Sequence, residues 1–218
     1  MSRLSGKKVL ITAGPTVEPI DPVRFIGNYS TGKMGYALAE AFAYKGAEVL
    51  LISGPSSLQP VHPRIKLTRV TTADQMYQAV LEQFAEADVL VFAAAVADYK
   101  PKVAAAQKIK KNEQTLTIEL VKNVDIAAEI GAQKRPEQFA VGFALETENE
   151  EENARAKLNK KNLDLIVLNS LRDQGAGFGH DTNQVKLIDA RRTVPFGLKS
   201  KKEVAHDIVT AITDRLYA

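Results

Sequence analysis

Six short apolar runs recur along the chain: KVLITAG, AEVLLISG, IKLTRV, DVLVFAAAV, QFAVGFA and LDLIVLN. They are rich in β-branched residues, and helix-period segments separate most of them. A strand that is apolar at successive positions is buried on both faces, which requires helices on either side of its sheet. The intervening segments supply those helices. Met34, Leu38, Ala41 and Phe42 fall on one helical stripe, and Met76, Val80, Leu81 and Phe84 on another. Thr72 followed by Gln75 predicts a capping box at the start of the second helix. Strands alternating with helices predict an α/β fold, a mostly parallel sheet flanked by helices, with ligands at the carboxyl ends of the strands. The 218 residues suit one domain, 1–218, and show no repeat or low-complexity linker.

One stretch breaks the alternation. QKIKKNEQTLTIEL reads as a two-stranded hairpin turning near residues 112–114, between the strand DVLVFAAAV and a helix starting near Val124. A lysine-rich hairpin in that position is a candidate flap over the sheet's ligand edge.

Composition removes several classes of chemistry. The chain has no cysteine, which excludes disulfides, zinc–thiolate sites and a cysteine nucleophile. A net charge of +3 is too small to argue for nucleic acid, and the lysine hairpin lacks aromatic residues on which bases would stack. No apolar run is long enough to span a bilayer, and MSRLSGKK lacks the apolar core of a signal peptide. The expectation is a cytoplasmic protein with no membrane or nucleic-acid partner.

Residues 27–34, GNYSTGKM, match the phosphate loop G-x-x-x-x-G-K-[ST] at every position but the last. Met34 stands where a hydroxyl would hold magnesium, and a thioether is a poor ligand for that hard cation. The loop also fails to follow its strand directly, because GPTVEPIDPVRFI intervenes. No G-x-G-x-x-G follows the first strand, so the dinucleotide fingerprint is missing as well. What survives is a helix start at which Ser30, Thr31, Gly32, Lys33 and free backbone N–H groups converge, which suits a phosphate. The plain alternative is that Ser30 only caps the helix.

Three further groups have both a functional and a plain reading. Asp98 in AAAVADY follows an apolar strand at the ligand edge; it is a metal or triphosphate residue, or a turn former. Lys108, Lys110 and Lys111 make a phosphate-binding patch or a solvated face. Lys157 and Lys161 sit at i, i+4 on a helix opening with Glu150, Glu151 and Glu152, where they bind an anion or complement the helix dipole. His180–Asp181 and His206–Asp207 read as surface pairs in a loop and a helix.

ITAGPTVEPIDPVRFIGNYSTGKMG, AAAVADY, KIKK, VKNVDI and VGFALET, in this order and spacing, resemble the phosphopantothenoylcysteine synthetases, the phosphopantothenate–cysteine ligases of coenzyme A biosynthesis. The likeness runs from about Lys7 to Ala218. It implies a Rossmann-like sheet that dimerises through added strands, and in many bacteria fusion to an N-terminal flavin-dependent decarboxylase. It also implies two chemical steps assisted by Mg²⁺. The carboxylate of 4′-phosphopantothenate attacks the α-phosphate of the cosubstrate CTP, and the amine of L-cysteine then displaces CMP from the acyl cytidylate.

By the same likeness Asn28 holds the acyl cytidylate for attack by cysteine, and Lys108 serves the first step from the flap. Phe92, Ala93, Ala94, Val124, Asp125, Ile126, Ala127, Phe143, Lys157 and Lys161 contact the nucleotide, and Asp98 its triphosphate or metal. The family often has proline where this chain has Val124. Ser30, Gly32 and the amides that follow, with Lys33 beside them, hold the phosphate of the acid substrate. Arg24, close by in DPVR, has two readings: it completes that site across a dimer interface, or it pairs with Asp21. The competing class is a Rossmann-type nucleotide-binding module or reductase without ligase chemistry.

Overall fold

The computed structural model describes residues 3–110, 114–146, 148–170 and 180–217. Its strands are β1 (Lys8–Ala13), β2 (Val17–Pro19), β3 (Phe25–Gly27), β4 (Glu48–Ser53), β5 (Ile65–Arg69), β6 (Val89–Phe92) and β7 (Tyr99–Pro101), followed by β8 (Leu120–Lys122), β9 (Phe139–Glu146) and β10 (Leu165–Ser170). Four more close the chain: β11 (Thr182–Asn183), β12 (Val185–Ile188), β13 (Thr193–Pro195) and β14 (Lys199–Ser200). The helices are α1 (Lys33–Tyr44), α2 (Ala73–Leu81), α3 (Ile126–Gln133), α4 (Glu150–Lys160) and α5 (Lys201–Leu216).

Eight strands form the central sheet in the order β13-β12-β10-β9-β6-β1-β4-β5. The run from β10 to β5 is parallel, and β12 and β13 add an antiparallel edge. All six sequence-predicted strands are present, so the α/β, mostly parallel, Rossmann-like expectation holds. From β1 the chain winds outward through β4 and β5, then returns to the other side of β1 as β6. That reversal opens a crevice at the carboxyl ends of β1 and β6, the place where open α/β sheets bind ligands.

Alternation along each strand feeds two apolar layers. Val9 and Ile11 face α1 and α5, packing with Leu38, Phe42, Ile208 and Ile212. Leu10 and Leu90 face α2, α3 and α4, packing with Met76, Ile130 and Leu158. The predicted capping box is formed: Thr72 Oγ1 accepts from Gln75 N–H, and the Gln75 side chain accepts from Thr72 N–H. Phe84 lies beyond α2 in a 3₁₀ turn, Phe84–Glu86, packed on the same layer.

The hairpin expectation needs correction. The described residues 107–110 and 114–119 form no strand; instead β7 pairs antiparallel with β8, extended by Lys102 N–H donating to the Glu119 carbonyl at 2.9 Å. The sequence around KIKK therefore belongs to a long excursion between two short strands. The predicted turn falls largely on residues 111–113, outside the described residues, as does Lys111.

Asp189, at the β12–β13 turn, ties that edge to α5. It is largely buried, which works against its charge, but the Arg215 guanidinium at 2.7 Å and the amides of Arg191 and Arg192 outweigh burial and hold its pKa at about 2. A carboxylate whose pKa falls on folding stabilises fully above its unfolded value near 4 and loses that contribution as pH drops towards 2. An Asp189→Asn variant is expected to be less stable than wild type by roughly 2 kcal/mol at pH 7. The gap should close below about pH 3, as read from urea midpoints across pH.

Candidate functional site

The near-Walker loop forms the start of α1. Gly32 is its N-cap with φ 81°, a left-handed conformation that favours glycine, and no side chain caps the helix. The Ser30 hydroxyl accepts from Gly32 N–H at 3.3 Å, so the plain capping reading of Ser30 is not realised. The first helical bond runs from Tyr36 N–H to the Gly32 carbonyl, which leaves the amides of residues 33–35 without a backbone acceptor. Gly35 allows this helix end to seat on β1: a Cβ there would lie 2.5 Å from that of Ala13. Met34 packs against the apolar layer, so its thioether is core rather than a failed metal ligand.

These residues line a cavity of about 360 Å³. Asn28, Ser30, Gly32 and Lys33, expected together at the acid substrate, meet there, and Asp98, expected at the triphosphate or its metal, lines the same cavity. Ala93 lies here too, and not in the second cavity with the other expected nucleotide contacts. Lys33 is ion-paired with Asp181 at 2.6 Å, and that ammonium draws the Asp181 carboxyl below its ordinary range. Lys201, at the start of α5, also reaches the cavity. Burial, and then the neighbouring Lys33 cation, pull its ammonium below its ordinary value. Asn28 donates from Nδ2 to the Ala95 carbonyl at 3.1 Å, fixing the amide against the loop after β6.

A second cavity of about 560 Å³ adjoins the first along Ala94, Val96, Asp98 and Phe143, which line both. It gathers Phe92, Val124, Asp125, Ile126, Ala127, Lys157 and Lys161. Asp125 is the N-cap of α3, accepting from Ala128 N–H at 3.2 Å, and pairs with Lys161 at 2.9 Å. Lys157 pairs with Glu146 at 2.6 Å. Lys122 and Lys160, missed in the sequence, line the same cavity and carry no ion pair among the described residues. Lys160 was findable, since i+3 from Lys157 shares its helix face. Asn169, Asn183 and Lys201 were not, apart from the position of Asn169 at a strand's carboxyl end.

Two expected residues lie elsewhere. Arg24 pairs with the buried carboxylate of Asp21 and donates from Nη2 to the Ile109 carbonyl at 3.0 Å, so in this chain it takes the salt-bridge alternative. Asp21 Oδ2 accepts from Ile109 N–H at 3.1 Å. Together they latch the lysine-rich excursion to the turn before β3. Lys108, next to the latched residue, is exposed and lines neither cavity.

A magnesium ion fits on modest terms. Among the described residues no three His, Cys, Asp or Glu side chains cluster as metal ligands, but Asp98 stands where the cavities meet. Mg²⁺ bound through one carboxylate, waters and substrate phosphates needs no more. Among the described residues no helix is long and apolar enough to cross a membrane.

Fold and site together define a doubly wound α/β protein with two adjoining cavities at the carboxyl edge of its sheet, one at an uncapped helix start and one lined by four lysines. Residues 4–216 match the family described as the DNA/pantothenate metabolism flavoprotein C-terminal domain, and the chain belongs to that family. A protein from an unknown prokaryotic organism, named cysteine/cysteine sulfinic acid decarboxylase, is 52% identical over 96% of this chain and 58% of its own length. The coenzyme A biosynthesis bifunctional protein CoaBC of Bacillus subtilis is 49% identical over 96% of this chain and 52% of its own. The chain thus spans little more than half of these relatives. A crystal structure of the C-terminal domain of a CoaBC superposes with TM-score 0.84 at 40% identity, covering 100% of this chain and 99% of that one. A Cab2 mutant complexed with phosphopantothenate-cysteine shares the fold, with TM-score 0.76 at 21% identity over 97% of this chain and 87% of its own.

Proposed function

We propose that this domain ligates 4′-phosphopantothenate to L-cysteine with CTP, through an acyl cytidylate, within coenzyme A biosynthesis. The observation that carries the reading is the pair of adjoining cavities sharing Ala94, Val96, Asp98 and Phe143. A reaction between two anions needs both held side by side, with cations and amide dipoles offsetting their repulsion, and needs no protein nucleophile. The uncapped α1 amides, Ser30 and Gly32 take the phosphate of the acid. Lys122, Lys157, Lys160 and Lys161 face the triphosphate, and the backbone of residues 124–127 with Phe143 flanks the base.

In the first step a carboxylate oxygen of the acid bonds to the α-phosphorus of CTP and pyrophosphate leaves. In the second the cysteine amine bonds to the acyl carbon and CMP leaves, with the amine proton passing to solvent. Mg²⁺, bound near Asp98, would neutralise phosphate charge. Membership in a family whose relatives include bifunctional CoaBC proteins supports this pathway and fusion to a flavin-dependent decarboxylase. The test is pyrophosphate release with CTP, ATP, GTP and UTP in turn. Release with CTP that requires phosphopantothenate supports the reading, and none with any nucleotide overturns it in favour of a binding module.

A homodimer belongs to the same reading. Val23, Phe25 and Tyr29 expose apolar side chains around β3, Tyr29 to 92%, and Tyr99 and Leu120 do so on β7 and β8. Apolar side chains concentrated on two small ribbons beside the site mark an association face. The domain is expected to scatter light as a dimer at micromolar concentration, and Phe25→Glu to shift it towards monomer. A fully active wild-type monomer would remove the dimer from the reading.

A further inference from the structure

The smaller cavity is also lined by two asparagines that the family likeness did not bring forward. Asn169 is the penultimate residue of β10, in register with Leu145 of β9 and Val185 of β12. Asn183 lies on β11 and is 1% exposed. Both line the same cavity as the start of α1.

The orientation of an asparagine amide is set by its hydrogen-bond network, and here the network runs back to a fixed backbone donor. Gln184 N–H donates to Asn183 Oδ1 at 3.1 Å, so the oxygen of Asn183 must lie on that side. Its Nδ2 then donates to Asn169 Oδ1 at 3.0 Å. With that oxygen engaged, Asn169 keeps its Nδ2 hydrogens, and no acceptor among the described residues takes them. A one-way chain therefore ends in a neutral donor at the cavity wall. Reversing either amide would oppose oxygen to oxygen or hydrogen to hydrogen.

The charged ends of the acid already have partners in this cavity, the free amides of α1 with Lys33 and Lys201, which leaves the neutral, preoriented donor of Asn169 for an uncharged acceptor oxygen. We infer that Asn169, oriented by Asn183, is a specificity-determining residue that reads an uncharged oxygen, a hydroxyl or amide carbonyl, in the body of the acid substrate between its phosphate and its carboxylate. The inference rests on the ligase reading for the identity of the acid. It separates two tasks: the start of α1 binds the phosphate, which many metabolites share, and Asn169 tests what the phosphate is attached to.

Titration calorimetry with two probes, inorganic phosphate and 4′-phosphopantothenate, tests this on wild type, Asn169→Ala and Asn183→Ala. Removing the donor should weaken phosphopantothenate about ten-fold or more and leave inorganic phosphate within about two-fold. Asn183→Ala frees Asn169 to rotate and should weaken phosphopantothenate about three-fold or more, without touching it directly. Unchanged phosphopantothenate affinity in Asn169→Ala overturns the inference, as does an equal loss for both probes. A wild type that releases no pyrophosphate while Asn169→Ala still binds phosphopantothenate selectively more weakly would sink the ligase reading and leave this inference standing.

Discussion

An Asn28→Asp variant is expected to form acyl cytidylate from phosphopantothenate and CTP and then fail to pass it to cysteine. The side chain lines the smaller cavity and donates from Nδ2 to the Ala95 carbonyl at 3.1 Å. That bond uses one of two amide hydrogens and leaves the second for the ligand. Aspartate removes both, sets a carboxylate against the Ala95 carbonyl, and adds negative charge where an oxyanion develops as cysteine attacks. Loss of one oxyanion donor costs about 10²–10³ in rate. The first step develops its charge on phosphate oxygens, so pyrophosphate release should fall much less. Mass spectrometry of mixtures quenched before and after adding cysteine reads both steps. Amide formation at the wild-type rate, or loss of CTP binding with no trapped intermediate, would remove Asn28 from the reaction.

The parts of the fold that were legible in the sequence are those written in local periodicity. Five of the six apolar runs became interior parallel strands because burial on both faces is what such continuous hydrophobicity requires; IKLTRV, which alternates Ile–Lys–Leu–Thr–Arg, became the edge strand β5, where only Ile65 is buried. The capping box at Thr72 was legible because its two residues and their spacing are its whole geometry. The site was only partly legible. Ser30, Gly32 and Lys33 were found because a helix start announces its own amides, and Asp98 because it follows an apolar strand. Asn183 and Lys201 reach the cavity only through β11 pairing antiparallel with β14 at the start of α5, a long-range contact with no local signal. The excursion around KIKK misled for the opposite reason. Its alternating Thr–Leu–Thr–Ile–Glu pattern has strand period, but the ordered pairing lies at the base, β7 with β8. Its position is set by the Asp21–Arg24 latch on Ile109 rather than by its own ladder.

That latch frames the expectation for Lys108. Ile109 is gripped at both backbone groups, its N–H by Asp21 and its carbonyl by Arg24, so the latch fixes the main chain and leaves the exposed Lys108 side chain free to reach. A lysine whose main chain is anchored while its exposed side chain lines neither cavity suits a charge that arrives with the triphosphate and leaves with pyrophosphate. Lys108→Gln is therefore expected to cut pyrophosphate release by about 10²–10³, the scale of losing one charge that stabilises a transferring phosphoryl group. Its stability should stay within about 0.5 kcal/mol of wild type, because an exposed side chain contributes little to folding. Asp21→Asn keeps the lysine and weakens its anchor. It should lose less activity than Lys108→Gln and be cut faster by trypsin at Lys108 and Lys110, since cleavage tracks local opening. The two variants separate the charge from its placement. Wild-type pyrophosphate release by Lys108→Gln would show that the excursion supplies no catalytic cation, whatever the latch does. Full activity in Asp21→Asn with accelerated cleavage would leave Lys108 in the chemistry but show that its main-chain position need not be fixed, because a long, mobile ammonium finds the phosphates by charge alone.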